Sequence, residues 1–462
     1  MRIKKLALAA TVAALTTGTL TAITPTASAA PTVLKDDYNG DGYRDLAIGT
    51  PHANAVTVTF GSASGVSTGR SVTLTQATKG IPGTTEPEDE FGENVTSGDV
   101  DHDGYADLVI GAPGERVADW ASGSVTVVWG GAKGFTRGAQ VYHAPKADDT
   151  RFGEGAVFVD LDGDDWPQLS VVSAKNWWWY GDSSPSSAYA PEVDFLPDGV
   201  TLEGETAAQV HGAGVGRTYT YVLYGTYPDG SPYTGWVDGG AGDIGYRAGT
   251  IDGFAGETYG AAAVGDVNCD GTPDLVTGQP EDNSVWVFWG GSTIFTDEME
   301  GMDKVTQDSS YVPGVTEPED RFGASVAVGD VDGDGCADVA VGAPGETVDG
   351  VRGTGSVTVL KGHKGTLTAG RAYHQATSGV PGAAETGDAF GAAVALRDLT
   401  GDGRADLAVS ATGEDIAATK DAGAVWVLRG ASPYVTTTAA TSFNGSDVGL
   451  PGPGVRFGTT LR

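Results

Sequence analysis

A nine-residue acidic pattern recurs along this chain, and a chain built of near-copies must fold as a row or a ring of near-identical units. Written D-x-[DNT]-x-D-G-x-x-D, the pattern occupies residues 37–45, 99–107, 266–274, 330–338 and 398–406. A degenerate copy at 160–168, third in chain order, has Asp165 in place of the Gly and Gln168 in place of the last Asp. The first-Asp positions are spaced by 62, 61, 106, 64 and 68 residues.

Each copy except the first follows an aromatic-Gly pair by seven or eight residues: Phe91-Gly92, Phe152-Gly153, Tyr259-Gly260, Phe322-Gly323 and Phe390-Gly391. Behind the acidic stretch comes a short apolar run into Gly-Ala-Pro or a relative of it, as at 108–113 (LVIGAP) and 339–344 (VAVGAP). An alternating segment follows, such as 124–130 (SVTVVWG), 284–290 (SVWVFWG) or 424–430 (AVWVLRG). A Gly/Pro/Glu linker such as 312–320 (VPGVTEPED) then leads to the next aromatic-Gly pair. Four short β runs per unit, with no long amphipathic helix, predict an all-β chain of four-stranded sheets repeated radially, a β-propeller.

Units of about 62 residues in a mature chain of about 430 predict seven blades. The 106-residue interval is too long for one unit, so a degenerate blade without an acidic loop is expected around 207–251. The alternative is six blades with one long insertion. A last pair, Phe457-Gly458, stands alone, whereas the first unit lacks an aromatic-Gly opening. Termini that share one blade would close the ring and remove its exposed sheet edge. A truncated repeat packed nowhere is the other reading.

Calcium takes six to eight oxygens in a flexible cage, and alternate acidic residues on a tight loop can all point inward. In the second copy Asp99, Asp101 and Asp103 alternate, Gly104 allows the sharp turn, the carbonyl of Tyr105 is placed to donate, and Asp107 closes the loop. The equivalent candidate ligands are Asp37, Asn39, Asp41, Tyr43 and Asp45 in the first copy. They are Asp266, Asn268, Asp270, Thr272 and Asp274 in the fourth. The fifth offers Asp330, Asp332, Asp334, Cys336 and Asp338, and the sixth Asp398, Thr400, Asp402, Arg404 and Asp406. Residues at the seventh position of each loop would donate their backbone carbonyls. Asp160, Asp162 and Asp164 make the degenerate loop the weakest site, so five Ca²⁺ sites and a weak sixth are expected. Apart from Arg404 in the copy from Asp398, no Lys or Arg alternates with the carboxylates, and an Asx-turn loop without metal is the competing reading.

The chain carries a formal charge of −34, which repels phosphate backbones and anionic lipids and argues against nucleic-acid partners. Arg2, Lys4 and Lys5, an apolar run at 6–15 and Ala27-Ser28-Ala29 have the layout of a secretory signal peptide, residues 1–29, with cleavage near Ala29/Ala30. No later apolar stretch approaches the ~18 residues a span needs, so a secreted, extracellular and monomeric protein is expected. The two cysteines, Cys269 and Cys336, sit in consecutive acidic loops, either bridged or as separate buried thiols.

Phe-Gly, an acidic D-x-D-x-D-G-x-x-D loop and Gly-Ala-Pro in that order resemble the FG-GAP repeat of the integrin α-subunit N-terminal β-propeller and of bacterial secreted FG-GAP/VCBS-type proteins. The resemblance covers about 33–458, with 174–251 poorly matched. It implies a seven-bladed propeller with calcium in its loops and a role in recognising extracellular ligands. It transfers no integrin ligand site, because the subunit that completes that site is absent.

None of the six histidines forms a metal-ligand pair, and no G-x-S-x-G elbow or phosphate loop occurs. Residues 175–250 concentrate aromatics, among them Trp177, Trp178, Trp179, Trp236 and eight of the sixteen tyrosines. They either fill the core of the degenerate blade or stack on a ligand. The expected function is a calcium-binding adhesion or ligand-binding module for polysaccharide, cell wall or protein. The alternative is an extracellular hydrolase or lyase with its site on a propeller face or in the central channel.

Overall fold

The structure is a computed structural model that describes residues 34–462 apart from 118–119, 122, 147–148, 160–167, 182–183, 190–198, 211–217, 231, 241–242, 251–260 and 291–300. The degenerate loop from Asp160 and the Tyr259-Gly260 pair lie outside the described residues.

Seven four-stranded antiparallel sheets form the blades of a propeller. Blade 2 shows the plan: Asn94–Gly98 is innermost, followed outward by Asp107–Ala112, Ser124–Val128 and Ala139–His143. The innermost strands of blades 3 to 7 are Gly155–Val159, Thr201–Val210, Ala261–Gly265, Ser325–Gly329 and Phe390–Arg397. In blades 2, 5, 6 and 7 the acidic loop joins the first strand to the second, and in blade 1 it leads into the second strand.

Second strands such as Leu46–Thr50, Asp107–Ala112 and Asp338–Ala343 are buried along their whole length. A strand sandwiched between neighbouring blades has no solvent face, which is why these segments read as continuous apolar runs. Outer strands regain contact with water: in Thr366–Tyr373 of blade 6 only Leu367 and Tyr373 are buried.

The ring closes through its termini. Thr460–Leu461 is the innermost strand of blade 1 and pairs with Leu46–Thr50, placing Ile48 opposite Leu461. Ala47 donates its N–H to the Arg462 carbonyl at 3.0 Å, and Arg462 returns one to Ala47 at 2.9 Å. This closure between first and last segments supplies blade 1 with its fourth strand.

The aromatic-Gly pairs hold neighbouring blades together. Phe91, Phe152, Phe322, Phe390 and Phe457 are all fully buried. The glycines behind them have φ between +90° and +100°, and a Cβ on Gly92 would meet the Ala55 carbonyl of blade 1 at 2.7 Å. A side chain there would be strained by its backbone and would push two blades apart. The glycine of Gly-Ala-Pro completes the junction, since Gly111 lies directly against the Gly153 carbonyl of the next blade.

The seventh blade predicted in the long interval is blade 4, built from Thr201–Val210, Thr218–Thr226, Pro232–Gly240 and Asp243–Thr250. It begins slightly before the expected 207, and its strands of 8 to 10 residues outrun the five or six usual elsewhere in the ring. Of the aromatics in this region, Trp177, Trp178, Tyr180 and Tyr233 are buried core residues. Trp178 donates its indole N–H to Asp149 at 2.7 Å, and Trp177 donates to Ser170 at 2.6 Å and Glu205 at 3.1 Å. All four are core residues, but only Tyr233 belongs to blade 4, since Trp177, Trp178 and Tyr180 lie on the third strand of blade 3. The side chains of Trp236, Tyr189, Tyr219, Tyr221 and Tyr246 lie outside the described residues.

Candidate metal centres and the central cavity

The five described acidic loops share one hydrogen-bond scheme. The first Asp folds the loop around its carboxylate: Asp330 accepts from Gly333 at 2.7 Å and from Gly335 at 2.9 Å. Asp37 and Asp398 repeat these bonds, while Asp99 and Asp266 accept from the fifth and sixth residues of their loops. The last Asp points back: Asp338 accepts from Val331 inside the loop and from Gly362 at the far end of the third strand, both at 2.9 Å. Asp45, Asp107, Asp274 and Asp406 bond in the same way to Gly61, Gly130, Gly290 and Gly430. At these glycines the backbone of the loop comes so close that a Cβ would overlap a loop carbonyl, which explains the Gly ending each alternating segment.

The middle positions gather oxygens. One carboxylate oxygen each from Asp99, Asp101 and Asp107 lies within 4.8 Å of the others, and Asp330, Asp332 and Asp338 form a second such group. These are the two loops that carry four Asp each. The loops from Asp37 and Asp266 instead turn Asn39 and Asn268 onto the N–H groups of Asp41 and Asp270, at 2.8 and 3.0 Å. At the third loop position, Asp332 Oδ1 and Thr400 Oγ1 are buried without a hydrogen-bond partner. An orphaned buried oxygen costs about 1–3 kcal/mol unless something satisfies it. The donor set is all oxygen, which fits a hard cation, so the residues present suit calcium.

Cations do reach the carboxylates, contrary to the sequence reading. Arg137 pairs with Asp101 at 2.5 Å and with Asp103; Lys361 pairs with Asp332 and, at 3.5 Å, with Asp334; Arg70 pairs with Asp41 at 2.8 Å. They come from outer parts of the same blade, Arg137 34 residues beyond Asp103, Lys361 29 beyond Asp332 and Arg70 29 beyond Asp41, and they meet the fifth, third and fifth loop positions, so no single spacing announces them. Burial pushes the closing carboxyls up, Asp45 to about 8, Asp107, Asp274 and Asp338 to about 7, and Asp406 to about 6.

The loops also join blade to blade. Ala106, Ala337 and Ala405 donate to the carbonyls of Asp37, Asp266 and Asp330 in the preceding loops, at 3.2, 2.9 and 2.7 Å. The side chain at the seventh position lies over the fourth residue of the loop before it: Tyr105 over Gly40, Tyr43 over Gly401 and Arg404 over Gly333. In the remaining described pair these two positions are Cys269 and Cys336, and they form a disulfide with Cα atoms 5.0 Å apart. Thr272 occupies the seventh position of its own loop, where its N–H bonds Asp270 at 2.7 Å.

A central cavity of about 650 Å³ is lined by innermost strands from all seven blades. Its wall mixes Ala and Val of the inner strands with charged and polar side chains, of which Lys35, Asp36, Arg44, Arg397 and Arg462 gather at one part of it. Asp36, fully buried, accepts from Arg397 Nε at 3.1 Å and lies 3.8 Å from Arg44. Burial alone would raise its carboxyl, but Arg397, Arg462 and Lys35 outweigh that and hold it at about 2. The Arg462 charge, with burial, brings Lys35 down to about 7. Sequence reading missed this group because its members come from opposite ends of the chain.

Seven radial blades joined by acidic loops and closed through their termini define the class, a closed β-propeller. The FG-GAP repeat model matches residues 29–70, 91–128, 322–360 and 390–428, in blades 1, 2, 6 and 7. The chain therefore carries four FG-GAP repeats within a seven-bladed β-propeller. No curated protein matches it in sequence. Among solved structures it is similar to an ancestral GH74 enzyme, with 11% identity and a TM-score of 0.37 over 87% of this chain and 56% of that one. The chain thus spans little more than half the length of that enzyme. It is also similar to BBS1N, solved in complex with ARL6DN, at 10% identity and TM-score 0.31 over 68% of this chain and 88% of that one. A third similarity is to the V. cholerae biofilm matrix protein Bap1, at 12% identity and TM-score 0.25 over 79% and 65% of the two chains.

Proposed function

We propose that this protein is a secreted, calcium-stabilised propeller that serves as a binding or adhesion module for an extracellular polysaccharide, cell-wall component or protein. The observation that carries the calcium reading is the convergence of three carboxylate oxygens within 4.8 Å in each of two loops. The buried, unpartnered oxygens of Asp332 and Thr400 add to it. Bound calcium would supply a hard positive charge at the turn between first and second strands. The chain's own residues do the rest: the closing Asp ties each loop to the third strand, and the loop backbone ties one blade to the next.

Secretion is supported by the charged, apolar and small-residue layout of residues 1–29, and by a disulfide suited to an oxidising compartment. Among the described residues no helix is long and apolar enough to cross a membrane. The binding role is supported by a rigid ring around a cavity lined with charged groups. The test is a pull-down on polysaccharides and cell walls, with calcium and with chelator, beside a panel of chromogenic substrates. Calcium-dependent capture without turnover is the expected result. Turnover of any substrate would overturn the binding reading.

A further inference from the structure

A second acidic cluster lies away from the loops. Glu115 follows the end of the strand Asp107–Ala112, so it stands about 20 Å along that strand from Asp107. It meets Glu86 and Asp89, from the linker that enters blade 2, with one oxygen of each residue within 4.8 Å of the others. Gln76, just beyond the outermost strand of blade 1, completes the group by donating its amide N–H to Glu115.

Two oxygens in this group are buried and unsatisfied. Asp89 is fully buried; its Oδ2 accepts from the Glu86 N–H at 2.7 Å, while Oδ1 has no partner. Gln76 is 4% exposed, and with its nitrogen committed to Glu115 its carbonyl Oε1 is also left without one. A cavity of about 290 Å³ opens onto Gln76 and Glu115. Arg116 and His143 also line it, and burial lowers the His143 pKa, which favours its neutral form.

The framework is built, because it recurs. Gln307 bonds Glu346 and Gln375 bonds Glu414, each pair 39 residues apart like Gln76 and Glu115. Asp320 and Asp388 accept from Glu317 and Glu385 as Asp89 does from Glu86, and Gln307 and Gln375 again leave a buried Oε1 unpartnered.

We propose that the junction between blades 1 and 2 holds a calcium ion on Gln76, Glu86, Asp89 and Glu115, at a site separate from the acidic loops. The donors are three carboxylates and an amide carbonyl, all hard oxygens from three different segments. Such an irregular cage suits the flexible coordination of calcium better than the strict octahedron of magnesium. The ion would clamp two blades at the end of the strand opposite the loop.

The test counts bound calcium in the full chain by mass spectrometry after equilibrium dialysis, with circular dichroism as the check on folding. Glu115→Gln is expected to lose one ion relative to the parent. Glu86→Gln, at an exposed position that leaves the core untouched, is expected to lose the same ion and decides the matter if Glu115→Gln misfolds. Asp332→Asn removes a loop ion instead, so failure of the loops and failure of this junction read separately. An unchanged count in folded Glu86→Gln and Glu115→Gln would overturn the proposal and leave the cluster held by a shared proton.

Discussion

Cys269 and Cys336 occupy the positions where other consecutive loops place a glycine under a tyrosine or an arginine, so the disulfide replaces a packing contact by a covalent one. Replacing Cys269 by Gly and Cys336 by Ser removes the bond while keeping both loops. The bridge closes 67 residues of chain, and the loss of that constraint on the unfolded state is worth about 4 kcal/mol in the chain-entropy model. Cys269 has φ +58°, and a glycine there recovers roughly 1 kcal/mol of left-handed backbone strain. The double variant is therefore expected to lose about 3 kcal/mol. Cys269→Gly with Cys336→Tyr rebuilds the Gly40–Tyr105 arrangement and is expected to regain about 1 kcal/mol of that. The assay is guanidinium unfolding followed by tryptophan fluorescence, at saturating calcium and with m compared across variants. A double variant within 1 kcal/mol of the bridged parent, at equal m, would refute the reasoning.

Arg137→Gln removes the cation that competes for Asp101 and Asp103, and one charge at about 4 Å is worth roughly 1 kcal/mol in water, so calcium affinity at that loop should rise about fivefold. Calorimetric titration showing weaker binding would reject this. In chelator, the raised carboxyls of Asp45, Asp107, Asp274, Asp338 and Asp406 hold protons in the folded state that the unfolded state has released above pH ~4. Stability of the metal-free chain should therefore fall as pH rises from about 4 to about 8, and melts that rise over this window would contradict it. Glu205, buried beside Ser170 and Trp177, is pushed up to about 8 by burial from an ordinary 4.5. Glu205→Gln should stabilise the protein by on the order of 3 kcal/mol at pH 7 and by almost nothing at pH 4. A pH-independent effect would show that this shift is absent.

The ring was legible because its information is local and repeated. Phe-Gly, the acidic loop and Gly-Ala-Pro each recur, and division of the length by the unit predicted seven blades without any long-range reasoning. Closure followed from the lone Phe457-Gly458, which now packs between blades 7 and 1. Contacts whose partners have no fixed spacing stayed hidden: Arg70, Arg137 and Lys361 reach the loops from different registers. The cluster around Asp36 joins residues from both ends of the chain, which only closure brings together. The disulfide was open to a finer reading, since Cys269 is fourth and Cys336 seventh in consecutive loops, but the meaning of those positions appears only once Tyr105 is seen over Gly40. The Gln76–Glu115 pairing carries a signal that could have been found, a glutamine 39 residues before a glutamate in three units.

The central claim is that the acidic loops are calcium sites that hold the blades together. Isothermal titration of the fully chelated chain with calcium, paired with thermal melts at each ratio, tests it most directly. Four or more bound ions, with the melting temperature rising as they fill, is the predicted result. Fewer than four ions, or filling without any gain in stability, would contradict the account.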